Sequence, residues 1–183
     1  MALKDIDSKA EAKGSGLKTL WQFVKFIFVS LIAFVIQTFL PMLIKLFRSP
    51  EFQAKEYDIW GIFKSSVDEK TGLMLGLGIF IAANISNILA QIVSFFINRD
   101  KTFNSDAKIS VTLPIYIVFT VALIIFSAWL STKLIPLFTG LTGSVSTATA
   151  ISGACCGAVQ FFLYFPVDKL LFPEKKKEAA EEK

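Results

Sequence analysis

The sequence predicts an all-α, polytopic membrane protein with four transmembrane helices. Hydrophobic residues make up 54% of the 183-residue chain, and the mean hydropathy is positive, which is too apolar for a soluble domain of this size. A helix needs about 20 apolar residues to cross a bilayer, and four segments reach that length. These segments are residues 23–47, 73–97, 111–130 and 144–165. All 15 acidic residues lie outside the four segments or at their edges.

The charged ends of the chain are predicted to lie outside a membrane domain of residues 21–172. Residues 1–20 are polar, mixed in charge and interrupted by Gly14 and Gly16, so we expect a mobile tail. The apolar run that follows has full span length and lacks a small-residue cleavage pattern, unlike a cleavable signal. Residues 173–183 end in EKKKEAAEEK and are expected to form a second charged tail in water.

The distribution of Lys and Arg predicts the orientation in the membrane. Four spans place both termini and the loop after the second span on one side. That side carries 13 of the 19 Lys and Arg residues, and the other side carries six. Because positive residues mark the cytoplasmic side, we expect cytoplasmic termini. The long loop on the outer side, residues 49–71, contains Trp60 among charged and apolar residues, and it is expected to lie at the membrane interface as an anchor or a lid.

One face of the second span is polar. Residues three or four positions apart share a helical face, and polar groups inside a span normally face protein or water. Amides that hydrogen-bond between helices would explain such a face. A polar face of this length that ends in basic residues equally indicates a polar groove with a basic mouth. The face comprises Asn84, Asn87, Gln91, Ser94, Asn98 and Lys101, with Arg99 beside it.

The fourth span offers a smooth surface. Gly153 and Gly157 form a small-xxx-small pair, and Gln160 and Tyr164 continue roughly the same face. This face is either a wall opposite the amides of the second span or a plain helix-packing surface. Residues 151–163 also align with 85–97, with matches at Ile, Ser, Val and two Phe. A parallel repeat of two-helix hairpins is consistent with this alignment.

Few residues are suited to enzymatic chemistry. The chain has no His, so it lacks an imidazole base and a His-containing metal site. Cys155 and Cys156 are adjacent within an apolar span, a spacing unlike that of metal or redox pairs. The glycine-rich residues 72–78, predicted to lie inside a helix, lack the Lys and Ser/Thr of a nucleotide site. We therefore expect no enzymatic activity, no cofactor, no metal and no nucleic-acid partner.

Two segments resemble the GtrA-like family of membrane proteins. FFINRDKTF, residues 95–103, is similar to the motif that closes the family's second span, and WQFVKFIFVSLIAFVIQ, residues 21–37, is similar to its opening span. The resemblance covers residues 21–172. The chain departs from the family pattern at Ser30, where Gly is usual, and at Gln37, where an acidic residue is common.

The resemblance implies a function in polysaccharide assembly. GtrA-like proteins are four-span bacterial proteins linked to the movement of polyprenyl-phosphate sugars across the cytoplasmic membrane, for cell-wall and cell-surface polysaccharides or teichoic acid. The chain would then be a multi-pass plasma-membrane flippase whose partners are the lipid-linked sugar, membrane lipids and glycosyltransferases of the pathway. The alternative is a non-transporting subunit or anchor of a polyprenyl-phosphate glycosyltransferase. A small channel or drug exporter is disfavoured because no span carries an acid.

Such a ligand assigns roles to the polar residues. Cations at the headgroup level suit the phosphodiester, although positive-inside anchoring also explains them. The candidate phosphate-binding residues are Arg99, Lys101, Lys25 and Lys169. Amides and hydroxyls suit the sugar, and the candidate groove residues are Asn84, Asn87, Gln91, Ser94, Asn98, Gln37, Gln160 and Tyr164.

Two further expectations concern assembly and energy. Four short helices hardly enclose a groove for a phospho-sugar, and the glycine pairs 153/157 and 72/76 offer faces for close approach. We therefore expect a homo-oligomer. Because the sequence predicts neither a nucleotide site nor an acid deep in a span, transport is expected to be facilitated diffusion.

Overall fold

Four long apolar helices dominate the structure, a computed structural model that describes residues 2–45, 49–67, 72 and 74–174. The segments long and apolar enough to span a membrane are Ser15–Ile44, Leu77–Thr102, Ile109–Thr142 and Thr147–Leu171. The all-α, four-span prediction is therefore confirmed. Parts of three predicted segments lie outside the described residues, namely 46–47 of the first span, most of 68–73 around the start of the second, and 175–183 of the second tail.

The helices and strands follow one another in a simple order. The helices are α1 (Ala2–Ala12), α2 (Ser15–Lys45), α3 (Pro50–Gln53), α4 (Leu77–Ile97), the π-helical segment Asn98–Thr102, α5 (Ile109–Thr142) and α6 (Val145–Leu171). The strands are β1 (Asp58–Ile59), β2 (Phe63–Lys64), β3 (Ser66–Val67) and β4 (Met74–Leu75).

The N-terminal residues differ from the expected tail. Ala2–Ala12 form α1, which packs against α2, and α2 already begins at Ser15. The side chain of Asp7 accepts hydrogen bonds from Trp21 Nε1 at 2.5 Å and Lys25 Nζ at 2.9 Å. Pairing between the acidic face of α1 and the basic start of α2 therefore places this segment on the bundle. Its mobility stays a prediction.

The third and fourth spans form a tight hairpin. The sequence prediction ended the third span at residue 130, but α5 continues to Thr142 because residues 134–138 are again largely apolar. Gly143 ends the helix with φ +67°, a left-handed conformation that glycine adopts without a steric penalty. Ser144 then caps α6, with its side chain accepting a hydrogen bond from Thr147 N at 3.3 Å.

The bundle consists of two helix pairs. The helix α2 packs mainly against α4, and α5 packs mainly against α6. These are the two hairpins of the predicted repeat, although their common origin stays a prediction. We call the end where α2 and α5 begin and α4 and α6 end the basic end, because Lys18, Lys25 and Lys101 lie there. The opposite end carries the loop between α2 and α4 and is called the loop end.

The loop end contains short strands that the sequence analysis did not predict. The strand pairs β1–β2 and β3–β4 are antiparallel, and Trp60 between β1 and β2 is 77% exposed. Because α4 begins at Leu77, the prediction that Gly72 and Gly76 lie inside a helix and form a helix-packing face is wrong. A Cβ at Gly76 would lie 2.5 Å from Gln53 O, so this glycine serves contact within the chain. The role of the loop as an anchor or a lid stays a prediction.

The core lies toward the basic end. Large side chains of all four spanning helices, together with Phe103 and Phe172, are buried against one another there, whereas Phe28, Phe34 and Phe162 are exposed on the bundle surface. Exposed apolar side chains suit contact with lipid tails. The buried core cluster is Phe26, Phe95, Phe103, Tyr116, Leu123, Tyr164 and Phe172.

Candidate functional site

A polar cleft lies between the two helix pairs, and we call it the amide cleft. Its cavity volume is about 170 Å³, and all four spanning helices contribute to its lining. Six of the eight predicted groove residues lie in this lining. The residues that line it are Phe26, Ser30, Ala33, Phe34 and Gln37 from α2, Gln91, Ser94 and Asn98 from α4 and the π-helical segment, Tyr116 from α5, and Gly157, Gln160, Phe161 and Tyr164 from α6.

The polar side chains of the cleft are paired across helices. Gln91 Oε1 accepts a hydrogen bond from Tyr116 OH at 3.1 Å, which connects α4 to α5. On the opposite wall, Gln160 Nε2 donates to Ser127 Oγ at 2.7 Å, and Tyr164 OH donates to Thr120 Oγ1 at 3.0 Å. Each amide keeps further donor or acceptor capacity beyond these single bonds. The cleft therefore has hydrogen-bonding groups on both sides.

The remaining two predicted groove residues differ in position. Asn87 Oδ1 accepts a hydrogen bond from Gln37 Nε2 at 3.0 Å, so it adjoins the cleft through a residue of its lining. Asn84 Nδ2 donates to Phe80 O of its own helix at 2.9 Å. The polar face of α4 therefore lines the cleft from Gln91 onward. Asn87 adjoins this lining, and Asn84 lies outside it.

Aromatic rings close the cleft toward the basic end. Phe23 and Phe26 of α2 pack against Phe161 and Phe165 of α6, with ring centroids 5.0–5.5 Å apart. Farther toward the loop end the α6 surface is open, because a Cβ added at Gly157 would meet nothing within 4 Å. Phe34 on the facing helix is 64% exposed. The cleft therefore opens sideways between α2 and α6, toward the space that lipid would fill.

A buried chain of hydrogen bonds forms the wall behind the cleft, and we call it the polar chain. Thr102 Oγ1 donates to Asn98 Oδ1 at 2.9 Å, and Asn98 Nδ2 donates to Asp168 Oδ2 at 2.7 Å. The three residues are at most 1% exposed. The polar chain joins the end of α4 to the end of α6.

Asp168 overturns one sequence-based expectation. The fourth span was predicted to end at residue 165, which placed this acid outside it. Instead α6 continues to Leu171 through Pro166, so Asp168 lies inside a spanning helix and is 0% exposed. The expectation that no carboxylate is buried in a span is therefore wrong.

The predicted phosphate-binding cations do not form a single cluster. Lys25 Nζ donates to Lys101 O at 2.7 Å, so these two residues adjoin each other at the basic end. Arg99 instead donates from Nε to Ala107 O at 3.0 Å and pairs with Asp100 at 2.6 Å, which fastens the π-helical segment to the residues before α5. Lys169 Nζ donates to Thr19 Oγ1 at 2.8 Å, so it connects α6 to α2.

A second polar pocket lies at the basic end, and we call it the terminal pocket. Its cavity volume is about 180 Å³. Acids from the two end segments neutralise its lysines: Lys18 pairs with Glu11 at 3.0 Å and with Glu174, and Lys25 pairs with Asp7. Sequence reasoning missed these acids, although Asp7 and Glu11 lie one turn apart on α1. The lining is Asp7, Glu11, Lys18, Trp21, Gln22, Lys25, Thr102, Phe103, Asn104 and Glu174.

Comparison with known proteins does not identify the chain. A scan against protein-family models finds no match, and searches of curated proteins and of solved structures find none either. The resemblance to the GtrA-like family therefore stays a prediction.

Proposed function

We propose that the protein moves a polyprenyl-phosphate-linked monosaccharide across the bacterial cytoplasmic membrane, for use in cell-surface polysaccharide or teichoic acid glycosylation. The observation that supports this proposal is the amide cleft, which combines polar walls with a sideways opening between α2 and α6. A lipid-linked sugar needs both features at once. Its headgroup requires hydrogen-bonding partners, and its tail must stay in the hydrocarbon outside the bundle.

The chemistry of the cleft suits a sugar. Its cavity volume is about 170 Å³, smaller than the roughly 300–1,000 Å³ of most small-molecule pockets, so the sideways opening would leave part of the headgroup outside it. A sugar hydroxyl left without a partner in an apolar medium costs about 1–3 kcal/mol. Gln37, Gln91 and Gln160 each present an amide, which donates and accepts, so one side chain can satisfy more than one hydroxyl.

The internal hydrogen bonds of the cleft can exchange with a ligand. The bond from Tyr116 to Gln91 and the bond from Gln160 to Ser127 are neutral. Such a bond contributes only about 1 kcal/mol net, so replacing it with a bond to a hydroxyl costs little. The amides are therefore satisfied while the cleft is empty and remain able to bind a sugar.

We assign the first contact of the phosphate to the basic end, before the headgroup enters the amide cleft, because aromatic rings close the cleft toward that end. Lys25 and Lys101 adjoin each other there, and both line the wide groove between α1, α2 and the π-helical segment. A phosphodiester would compete with the carboxylate of Asp7 for Lys25. We assign Arg99 and Lys169 a supporting role, because their hydrogen bonds hold the π-helical segment and the end of α6 in place.

The open glycine face favours a partner helix. A Cβ added at Gly153 or Gly157 would meet nothing within 4 Å, so another helix can approach this surface closely. A second copy of the chain packed at Gly153, which lies outside the cleft lining, would form the predicted homo-oligomer and leave the cleft opening to the lipid tail. A glycosyltransferase helix on the same face corresponds to the alternative function, a non-transporting subunit.

Reconstitution distinguishes these two functions. The purified protein alone is placed in liposomes with a polyprenyl-phosphate sugar, and the fraction of lipid accessible in each leaflet is followed over time. We expect flipping that slows with Gln91→Ala and Gln160→Ala. Asn84→Ala is the matched control, because Asn84 bonds to its own helix outside the cleft lining. No flipping above that of empty liposomes would reject the transport proposal and favour the subunit.

A further inference from the structure

Asp168 is a buried acid that the proposed function does not use. The residue is 0% exposed, and only its Oδ2 atom has a partner, the amide of Asn98 at 2.7 Å. Its Oδ1 atom is buried and has no hydrogen-bond partner within the described parts of the chain. A buried polar atom without a partner is uncommon in native structures, so it calls for a functional explanation.

Asp168 lines neither pocket but is bonded to the wall between them. Asn98 lines the amide cleft, whereas Thr102 lines the terminal pocket. These residues are joined by the hydrogen bond from Thr102 Oγ1 to Asn98 Oδ1, and Asp168 holds the other side of the same amide. The polar chain is therefore the partition between a space open to the membrane and a space open at the basic end.

The surroundings of Asp168 contain little that would stabilise a negative charge. The π-helical segment presents the neutral Asn98, and the titratable groups facing it from α5 and α6 are the phenols of Tyr116 and Tyr164. Among the described residues, no Lys or Arg nitrogen forms an ion pair with it. On α2, Lys18 and Lys25 are already paired with Glu11, Glu174 and Asp7. An ionised Asp168 in the closed wall would be a bare buried charge.

We propose that Asp168 is a proton-binding site that controls the partition between the two pockets. With a proton on Oδ1 the side chain is neutral and the wall stays closed. Loss of that proton to water in the terminal pocket leaves a carboxylate, whose burial costs several kcal/mol unless water enters. Deprotonation therefore favours an open, hydrated wall, and protonation closes it again. The proton is the only species exchanged.

This site changes the expected energetics of transport. The sequence alone predicted facilitated diffusion, because it predicted no acid within a span. Coupling of sugar-lipid movement to a proton gradient depends on the proposed function, whereas proton binding at Asp168 does not. The two claims are therefore tested in separate measurements.

Proton binding is tested on the purified chain by infrared spectroscopy over a range of pH. We expect a protonated-carboxylic-acid band that disappears as the pH rises and is missing from Asp168→Asn, a substitution that keeps the size of the side chain. Asp106→Asn is the matched control, since Asp106 is exposed and should leave the band unchanged. A spectrum identical in the parent and Asp168→Asn would overturn the proposal.

Control of the wall is tested by labelling in liposomes. Cys155 and Cys156 are replaced by Ala, Ser94→Cys is introduced in the cleft, and a membrane-impermeant thiol reagent is added in water. The labelling rate is divided by the rate of the same cysteine in an Asp168→Asn background. We expect this ratio to rise with pH by up to about tenfold per pH unit while Asp168 is mostly protonated, because opening requires the loss of one proton. Equal pH dependence in both backgrounds would overturn gating, as would labelling that follows sodium concentration at constant pH.

The flipping assay then separates the two proposals. An Asp168-dependent band and labelling response with no flipping would reject the transport function and retain the proton site. Flipping that neither responds to a pH gradient nor changes in Asp168→Asn would retain transport and overturn the coupling.

Discussion

Removing the central amide of the polar chain should strongly destabilise the bundle. The substitution Asn98→Leu keeps a similar volume but removes two buried hydrogen bonds, one to Asp168 at 2.7 Å and one from Thr102 at 2.9 Å. A neutral bond contributes about 1 kcal/mol net, and a buried partner left without a bond costs about 1–3 kcal/mol. We therefore expect a loss of about 3 kcal/mol in the free energy of unfolding.

The magnitude is measurable in mild detergent. One kcal/mol shifts the Tm of a domain of this size by about 2–4 °C, so Asn98→Leu should lower it by roughly 6–12 °C. Thr102→Val removes only one of the two bonds and should cost about 1 kcal/mol. The matched control is Asn84→Leu, where the amide bonds only to its own helix and the shift should stay within about 0.5 kcal/mol.

A double substitution identifies the cause. Asn98→Leu leaves both carboxyl oxygens of Asp168 without a partner, so removing the acid as well should recover part of the loss. The combination of Asn98→Leu with Asp168→Leu is therefore expected to be less destabilised than the sum of the single variants. Additive losses, or an Asn98→Leu protein as stable as Asn84→Leu, would show that the polar chain does not hold α4 and α6 together.

Three further predictions concern orientation, charge and shape. In intact cells, a cysteine-free variant carrying Ser65→Cys should react with an impermeant thiol reagent and one carrying Asp106→Cys should not; the reverse pattern would invert the assigned topology. Asp7→Asn removes the ion pair of Lys25, so a soluble phosphodiester should bind the protein in detergent about two- to fivefold more tightly by calorimetry, the effect expected of a partly exposed ion pair. A Cβ added at Gly157 meets nothing within 4 Å, so Gly157→Ala should keep the parent Tm, whereas the longer side chain of Gly157→Leu should extend into the cleft opening and reduce flipping in the liposome assay.

The sequence by itself determined the class of the protein and the face that lines its cleft. Hydropathy over 20 residues is a local property, and it located the four spans. Helical periodicity is also local, so the spacing of Gln91, Ser94 and Asn98 was enough to predict that they share one face. These features can be predicted without knowing which helices pack against each other, because each depends on residues within a few turns of one helix.

Only the tertiary structure decided which charges are paired and which acid is buried. Lys25 was predicted to bind a phosphate, but it pairs with Asp7 of α1, a segment that was predicted to be a mobile tail. Asp168 was placed outside the span, although helix α6 continues past it and α4 covers it with Asn98. The burial and pairing of a side chain depend on what other helices bring to it in space, and that information is distributed over residues far apart in the chain.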